Sequence, residues 1–272
     1  VLESGVVAVP AHTFHQLITT ETGQKITLTT KDSILEVVGG HGTSKLKPIA
    51  VDEFPTLPFV KEGEGYAISL HAKEITNTLK SVSFAASVSG IRPELSSVFM
   101  KIDGGVITAA ATDSFRLAEI KFPTSSKKTA DPVLIPARNI QEILRVIGGS
   151  DAVEMRVGEN QMTMFAGGGF ITSRIIDGAF PDYNAIIPKS FTTSATALTE
   201  DVVRALRKVS VFTDATGQIE LSVNTEGKSI TFKAVNTAVG EIREELDGVI
   251  DGETSTLFFN VKDILDGLTV VS

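Results

Sequence analysis

The chain contains no cysteine, only four histidines, and no excess of basic residues. Without cysteine there is no disulfide framework, no thiolate zinc site and no cysteine nucleophile, a usage that suits a reducing cytosol. The histidines (His12, His15, His41, His71) are too sparse for a histidine-rich metal site. His12 and His15, three apart, share one side of a helix, but no carboxylate joins them there, so they read as a solvated pair. No cofactor is implied. No apolar run reaches the roughly 18 residues that a membrane helix needs. The opening stretch VLESGVVAVPAHTF has no initiator Met, basic segment or cleavage site, so it does not read as a signal peptide. It looks like the middle of a domain, and LTVVS ends in a similar place, so the chain reads as a fragment. The formal charge of −8 argues against simple electrostatic DNA binding, which depends on a basic surface.

What is present is ordinary for a soluble globular protein: 42% hydrophobic and 21% charged residues over 272 positions. Less ordinary is that the chain repeats itself. VVAVPAHTFHQLI (6–18), PVLIPARNIQEIL (132–144) and TLFFNVKDILDGL (256–268) each read as an apolar strand, a break and an amphipathic helix. Phe14, Ile140 and Ile264 then coincide at spacings of 126 and 124, and so do Ile18, Leu144 and Leu268. SKLKPIAVDEFP (44–55) resembles SRIIDGAFP (173–181), and LHAKEITNTLKSVSF (70–84) pairs with LTEDVVRALRKVSVF (198–212) at an offset of 128. The unit is roughly 125 residues, a normal domain size.

Each copy also carries hairpin patterns with period two. Ile26 and Leu28 precede a Lys31-Asp32 turn and then Leu35 and Val37. Val153, Met155 and Val157 lead to Met162 and Met164, and Ile219, Leu221 and Val223 lead to Ile230 and Phe232. Antiparallel strands plus about two helices per unit make an α+β class.

The helices are cationic opposite their apolar stripes. In ARNIQEILRVI (137–147), Ile140, Ile143, Leu144 and Ile147 cluster on one side, with Arg138 and Arg145 on the other. Near 200–211, Val202, Val203, Leu206 and Val209 form the stripe, and Arg204, Arg207 and Lys208 lie opposite. Lys73 and Lys80 (near 71–84) and Lys262 (near 260–268) extend the set. For one helix this is a solvated face. Repeated across related helices it points to a shared basic surface, diluted by Glu142 and Asp201.

Catalytic and nucleotide motifs fail. EGKSI (226–230) lacks the glycine of a phosphate loop, Ser222 standing in its place, and AGGGF (166–170) lies between strand patterns, as a tight turn does. The two carboxylates of DEF (52–54) point to opposite faces of a strand. The readings left open are a magnesium-dependent hydrolase using Asp113, Asp177 or Asp182 near Gly167–Gly169, and a repeat-built scaffold that never meets nucleic acid.

ATDSFRLA (111–118), VLIPARNIQEIL (133–144) and FITSRIIDGAFPDYNAIIP (170–188), in that order, resemble the bacterial sliding clamp, the beta subunit of DNA polymerase III. The resemblance spans all 272 residues. It implies repeated clamp domains of antiparallel sheets with two helices each, arranged as a ring-forming arc: 1–62 the C-terminal half of domain one, 63–188 a complete domain two, 189–272 an incomplete domain three. It implies a non-catalytic cytoplasmic processivity factor without cofactor or membrane. Its partners would be double-stranded DNA, the DNA polymerase III catalytic subunit, the clamp loader, other proteins carrying a clamp-binding motif, and a second copy in a homodimer. A ring held by topology needs no net positive charge. Lys73, Lys80, Arg92, Arg138, Arg145, Arg204, Arg207, Lys208 and Lys262 would face DNA, and Val211 and Phe212 would lie at the dimer contact.

The resemblance also bears on TDSFRL (112–117). By itself this is a turn with a capping carboxylate and an arginine directed to water. In the family the matching segment forms one wall of a peptide-binding pocket, which here implies Leu95, Thr112, Ser114, Phe115, Arg116, Leu117, Pro181, Ala185 and Ile186. Ser114 and Phe115 stand where Gly-His is common, and Ala185 where a basic residue is frequent. Ordinary core is the alternative for Leu95, Leu117 and Ile186. Arg116→Ala with Leu117→Ala is expected to abolish peptide capture and leave the fold intact.

Overall fold

The computed structural model describes residues 4–271 except 24, 32, 41, 125, 126 and 128. Asp32 of the first hairpin turn, His41 and the terminal Ser272 therefore lie outside the described residues. The chain divides into two compact units, Val1–Pro58 and Phe59–Ser272.

In the first unit, helix α1 (Ala11–Thr20) precedes strands β1 (Thr27–Lys31), β2 (Ile34–Val38) and β3 (Thr43–Leu46), an antiparallel sheet in the order β1-β2-β3. Leu35 and Val37 of β2 point to one face and are buried, the alternation their spacing predicts. His12 and His15 are both exposed on α1.

The second unit opens with β4 (Tyr66–His71) and α2 (Ala72–Ser83). Then come β5 (Ser97–Asp103), β6 (Val106–Thr112), β7 (Leu117–Pro123), β8 (Ala130–Pro136) and α3 (Ala137–Ile147). Strands β9 (Ala152–Val157), β10 (Gln161–Ala166) and β11 (Gly169–Arg174) complete two antiparallel sheets, β7-β6-β5-β8 and β11-β10-β9-β4. The remainder repeats the plan: β12 (Thr193–Thr196), α4 (Thr199–Ser210), β13 (Gln218–Asn224), β14 (Ser229–Asn236), β15 (Gly240–Asp247), β16 (Val249–Gly252), β17 (Ser255–Asn260) and α5 (Val261–Leu268). Its sheets are β15-β14-β13-β17 and β12-β16.

Helices α1, α3 and α5 begin at Ala11, Ala137 and Val261, at the 126 and 124 spacing of the repeat. The break before each is its N-cap. Pro10 and Pro136 have φ fixed near the helical value, and neither makes a side-chain cap; Asn260 instead accepts the N–H of Lys262 at 2.9 Å. The other helix pair corrects the expected offset of 128. On α2, Ile75, Thr78, Leu79 and Val82 are buried; on α4, Ala205, Leu206 and Val209 are, with Val202 packed beside them. These stripes superimpose at 127, because burial follows the helix face and the letter match had placed Leu79 opposite exposed Arg207.

Two cores result. Ile75, Leu79 and Val82 of α2 and Ile140, Ile143 and Ile147 of α3 pack with Met100, Ile107, Ile135, Met155 and Met164 from the sheets. Leu206 and Val209 of α4 pack with Ile219, Ile230, Phe232 and Val261. AGGGF forms the β10–β11 hairpin: Ala166 pairs with Gly169, leaving Gly167 and Gly168 at φ +57° and +82°, where only glycine sits without strain. EGKSI similarly closes β13–β14.

The copies differ at one edge. In β8, Val133, Leu134 and Ile135 are buried, and the Ile176 N–H bonds the Leu134 carbonyl on the strand's outer side. The matching Leu257, Phe258 and Phe259 of β17 are exposed at 51%, 61% and 40%.

Candidate functional site

The β6–β7 turn is built by its own polar side chains. Asp113 Oδ1 accepts the N–H of Phe115 at 2.9 Å and of Arg116 at 3.0 Å. The Thr112 hydroxyl donates to the Arg116 carbonyl at 2.7 Å and accepts the Ser114 N–H at 3.2 Å. Ser114 is left at φ +81°, a left-handed conformation that disfavours any side chain, which is the physical reason glycine suits this position. Phe115 projects from the tip, 92% exposed.

The carboxylate cap is as the sequence implies, but the arginine does not point to water. Arg116 Nε donates to Asp113 at 3.1 Å, and one terminal nitrogen lies 2.8 Å from Asp266 and 3.1 Å from Asp263, both on α5. The other terminal nitrogen donates to the Phe84 carbonyl at 2.9 Å, with the guanidinium 5.5 Å from the Phe84 ring centre. Burial by itself would lower the Arg116 pKa; the Asp266, Asp263 and Asp113 carboxylates outweigh it and hold it above the ordinary arginine value. The side chain is mostly shielded, so these charge-assisted bonds are stronger than exposed ion pairs. Sequence reasoning missed Phe84, Asp263 and Asp266. The one available signal was the spacing of the two aspartates, three apart on one helix face.

A second segment, residues 176–186, crosses the outer face of the β7-β6-β5-β8 sheet. Phe180 stacks on Phe99 with ring centres 5.1 Å apart, and the Tyr183 hydroxyl donates to Glu119 at 2.6 Å. Pro181 lines a cleft of about 340 Å³ with both phenylalanines, Glu119 and Lys121. Ala185 is exposed, and Ile186 is 74% exposed.

The pocket residues expected from the sequence thus fall into three groups. Thr112, Ser114, Phe115, Arg116 and Leu117 share the first turn, with Leu117 half-buried; Pro181, Ala185 and Ile186 share the second segment. Leu95 is 4% exposed and presents almost no surface.

The nine cations are all exposed. Arg92 pairs with Glu94 at 3.0 Å, Arg145 with Glu142, Arg204 with Asp201 at 2.5 Å, and Lys208 with Glu244 at 3.0 Å. Lys73, Lys80, Arg138, Arg207 and Lys262 make no ion pair among the described residues. Val211, at the end of α4, is 67% exposed, whereas Phe212 packs against the second core, that of α4. Asp113, Asp177 and Asp182 do not converge: Arg116 holds the first, and the other two line different clefts. Among the described residues no three His, Asp or Glu gather as metal ligands, and no helix is long and apolar enough to cross a membrane.

The two tyrosines, in a chain without tryptophan, give a direct optical test. Burial, then the charge of Asp131, pushes Tyr66 from 10.0 up to about 12. Burial, then the hydrogen bond to Glu119, pushes Tyr183 up as well. A phenol whose pKa is raised by folding adds stability that is complete below pH 10 and declines as pH climbs toward 12. Phenolate absorbance should therefore stay nearly flat at pH 10 and appear together with unfolding. A half-complete signal at pH 10 in folded protein would contradict both environments.

Two family models match: the DNA polymerase III beta subunit central domain over residues 69–182 and its C-terminal domain over 184–272. The beta sliding clamp of Synechococcus elongatus is 27% identical over 99% of this chain and 73% of its own length. That of Synechocystis is 28% identical over 98% and 74%. Among solved structures, the beta chain from Streptococcus pneumoniae superimposes with a TM-score of 0.92 at 21% identity, covering 98% of this chain and 72% of that one. The Pseudomonas aeruginosa clamp bound to griselimycin does so with 0.90 at 24%, covering 98% and 73%. A repeated α+β plan, a capped β6–β7 turn and consecutive matches to two domains of one protein agree: the chain belongs to the DNA polymerase III beta subunit family, the sliding clamps, which are non-catalytic processivity factors.

Proposed function

We propose that the chain works in the cytoplasm as part of a ring around duplex DNA, with residues 1–62, 63–188 and 189–272 as successive domains and Val211 and Phe212 at the contact with a second copy. The observation that carries this reading is the recurrence of the helix at Ala11, Ala137 and Val261, together with the exposed cations that α2, α3, α4 and α5 carry. Lys73, Lys80, Arg138, Arg207 and Lys262 meet phosphates without reading bases. Arg92, Arg145, Arg204 and Lys208, already paired with acids, add weaker and more salt-sensitive attraction. The overall negative charge keeps the remaining surface off DNA. Leu117, Pro181 and Ile186 receive the apolar end of a short motif from the polymerase or clamp loader, and Thr112, Ser114, Phe115 and Ala185 frame it.

The test is retention after loading on nicked circular DNA, compared with the same DNA linearised. A ring stays on the circle at a salt concentration that strips simple ion pairs and runs off the linear form. Equal loss from both forms rejects encirclement, and no binding to either favours a scaffold.

A further inference from the structure

Arg116 has little left to offer a ligand. Its Nε and its two terminal nitrogens donate to Asp113, Asp266 and the Phe84 carbonyl, and the nitrogen bonded to Asp266 also lies 3.1 Å from Asp263. A guanidinium has five N–H groups in a rigid fork, and all three of its nitrogens are already engaged here. Two of the partners, Asp263 and Asp266, sit on α5, in the third repeat, while the turn belongs to the second. Asp113 restrains the same guanidinium from inside the turn and also holds the N–H groups of Phe115 and Arg116. Pulling Arg116 toward a peptide would leave three carboxylates facing one another with no cation between them. That is a costly rearrangement in a partly shielded site.

We infer that Arg116 is a positioning residue rather than a peptide contact: it pins the β6–β7 turn to α5, so that peptide held at neighbouring Leu117 is felt along α5. Asp263 and Asp266 are positioning residues of the same kind. The inference rests on the peptide-pocket reading for its ligand, but the pin itself does not.

The experiment uses the full chain and a synthetic peptide copying the C-terminal residues of the DNA polymerase III catalytic subunit. Affinity is read by fluorescence anisotropy, and amide hydrogen exchange is followed across Val261–Leu268. In the wild type, peptide should slow exchange in α5. Asp263→Asn with Asp266→Asn should speed exchange there, weaken the peptide by only about fivefold, and uncouple the two readouts. Asp266→Glu, which keeps the charge, should restore most of the coupling, which a loss of packing would not allow. Arg116→Ala should reproduce the Asn pair without adding to it, as expected of residues in one network.

The inference is overturned if Arg116→Ala weakens the peptide by about a hundredfold or more while α5 exchange stays unchanged, since Arg116 would then touch the peptide directly. It is also overturned if the Asn pair leaves both readouts as in the wild type. If the wild type captures no peptide, the pocket reading falls instead, and faster α5 exchange in Arg116→Ala still decides whether the pin exists.

Discussion

Leu117→Ala combined with Ile186→Ala weakens capture of a polymerase tail peptide by a factor on the order of 10²–10³. Leu117 is half-buried beside the capped turn, and Ile186 stands 74% exposed, with little packing to lose. Each truncation removes apolar surface that a ligand would cover, about 1.5–2 kcal/mol per side chain when burial is complete. Ile186 lies on the surface, so its loss leaves no cavity in the free protein. Leu117 contributes part of its area to the fold, and a melting curve on the same variant separates the two effects. This pair replaces Arg116→Ala with Leu117→Ala as the decisive variant. The arginine is tied to α5, so its removal acts on the third repeat as well as on the turn, and a loss of peptide in that variant would mix the two effects. Anisotropy titration supplies the measurement. An affinity within threefold of wild type would remove the pocket from this turn.

Lys80→Glu, Arg138→Glu and Arg207→Glu together lower affinity for short duplex DNA by on the order of 10²-fold at low salt. All three are exposed, and none pairs with a described acid, so reversal frees no intramolecular carboxylate. Each phosphate contact contributes close to one unit of slope in log affinity against log salt, so losing three should flatten that slope by about three. Arg145→Glu, Arg204→Glu and Lys208→Glu form the natural comparison. Those cations are already partly neutralised by Glu142, Asp201 and Glu244, so their loss should cost less per residue. Titration of a labelled duplex at four salt concentrations measures both sets. An unaltered slope in the first set would place the DNA surface elsewhere.

Much of the fold was readable because its signals are local. The strand–break–helix pattern placed Ala11, Ala137 and Val261 at helix starts, since a proline or asparagine before an amphipathic run is a strong boundary. Period-two alternation placed β9–β10 and β13–β14, since each sheet buries one face more than the other. The 128 offset failed because letter similarity tolerates a one-residue slip that a buried helix face does not. At the site, the capping role of Asp113 was visible, because its oxygen reaches only two and three residues along the chain. The partners of Arg116 were not. Asp266 is 150 residues away, and sequence order carries no record of which distant carboxylate a guanidinium will find. Leu95 failed as a surface feature for a related reason: an apolar residue in a loop looks the same whether it faces a ligand or the interior.

The uncovered rim of β17 has a practical consequence. Leu257, Phe258 and Phe259 offer greasy side chains next to backbone amides and carbonyls that no described strand engages on that side. Such a border is a template for strand addition, and a lysine in place of Phe258 would blunt it.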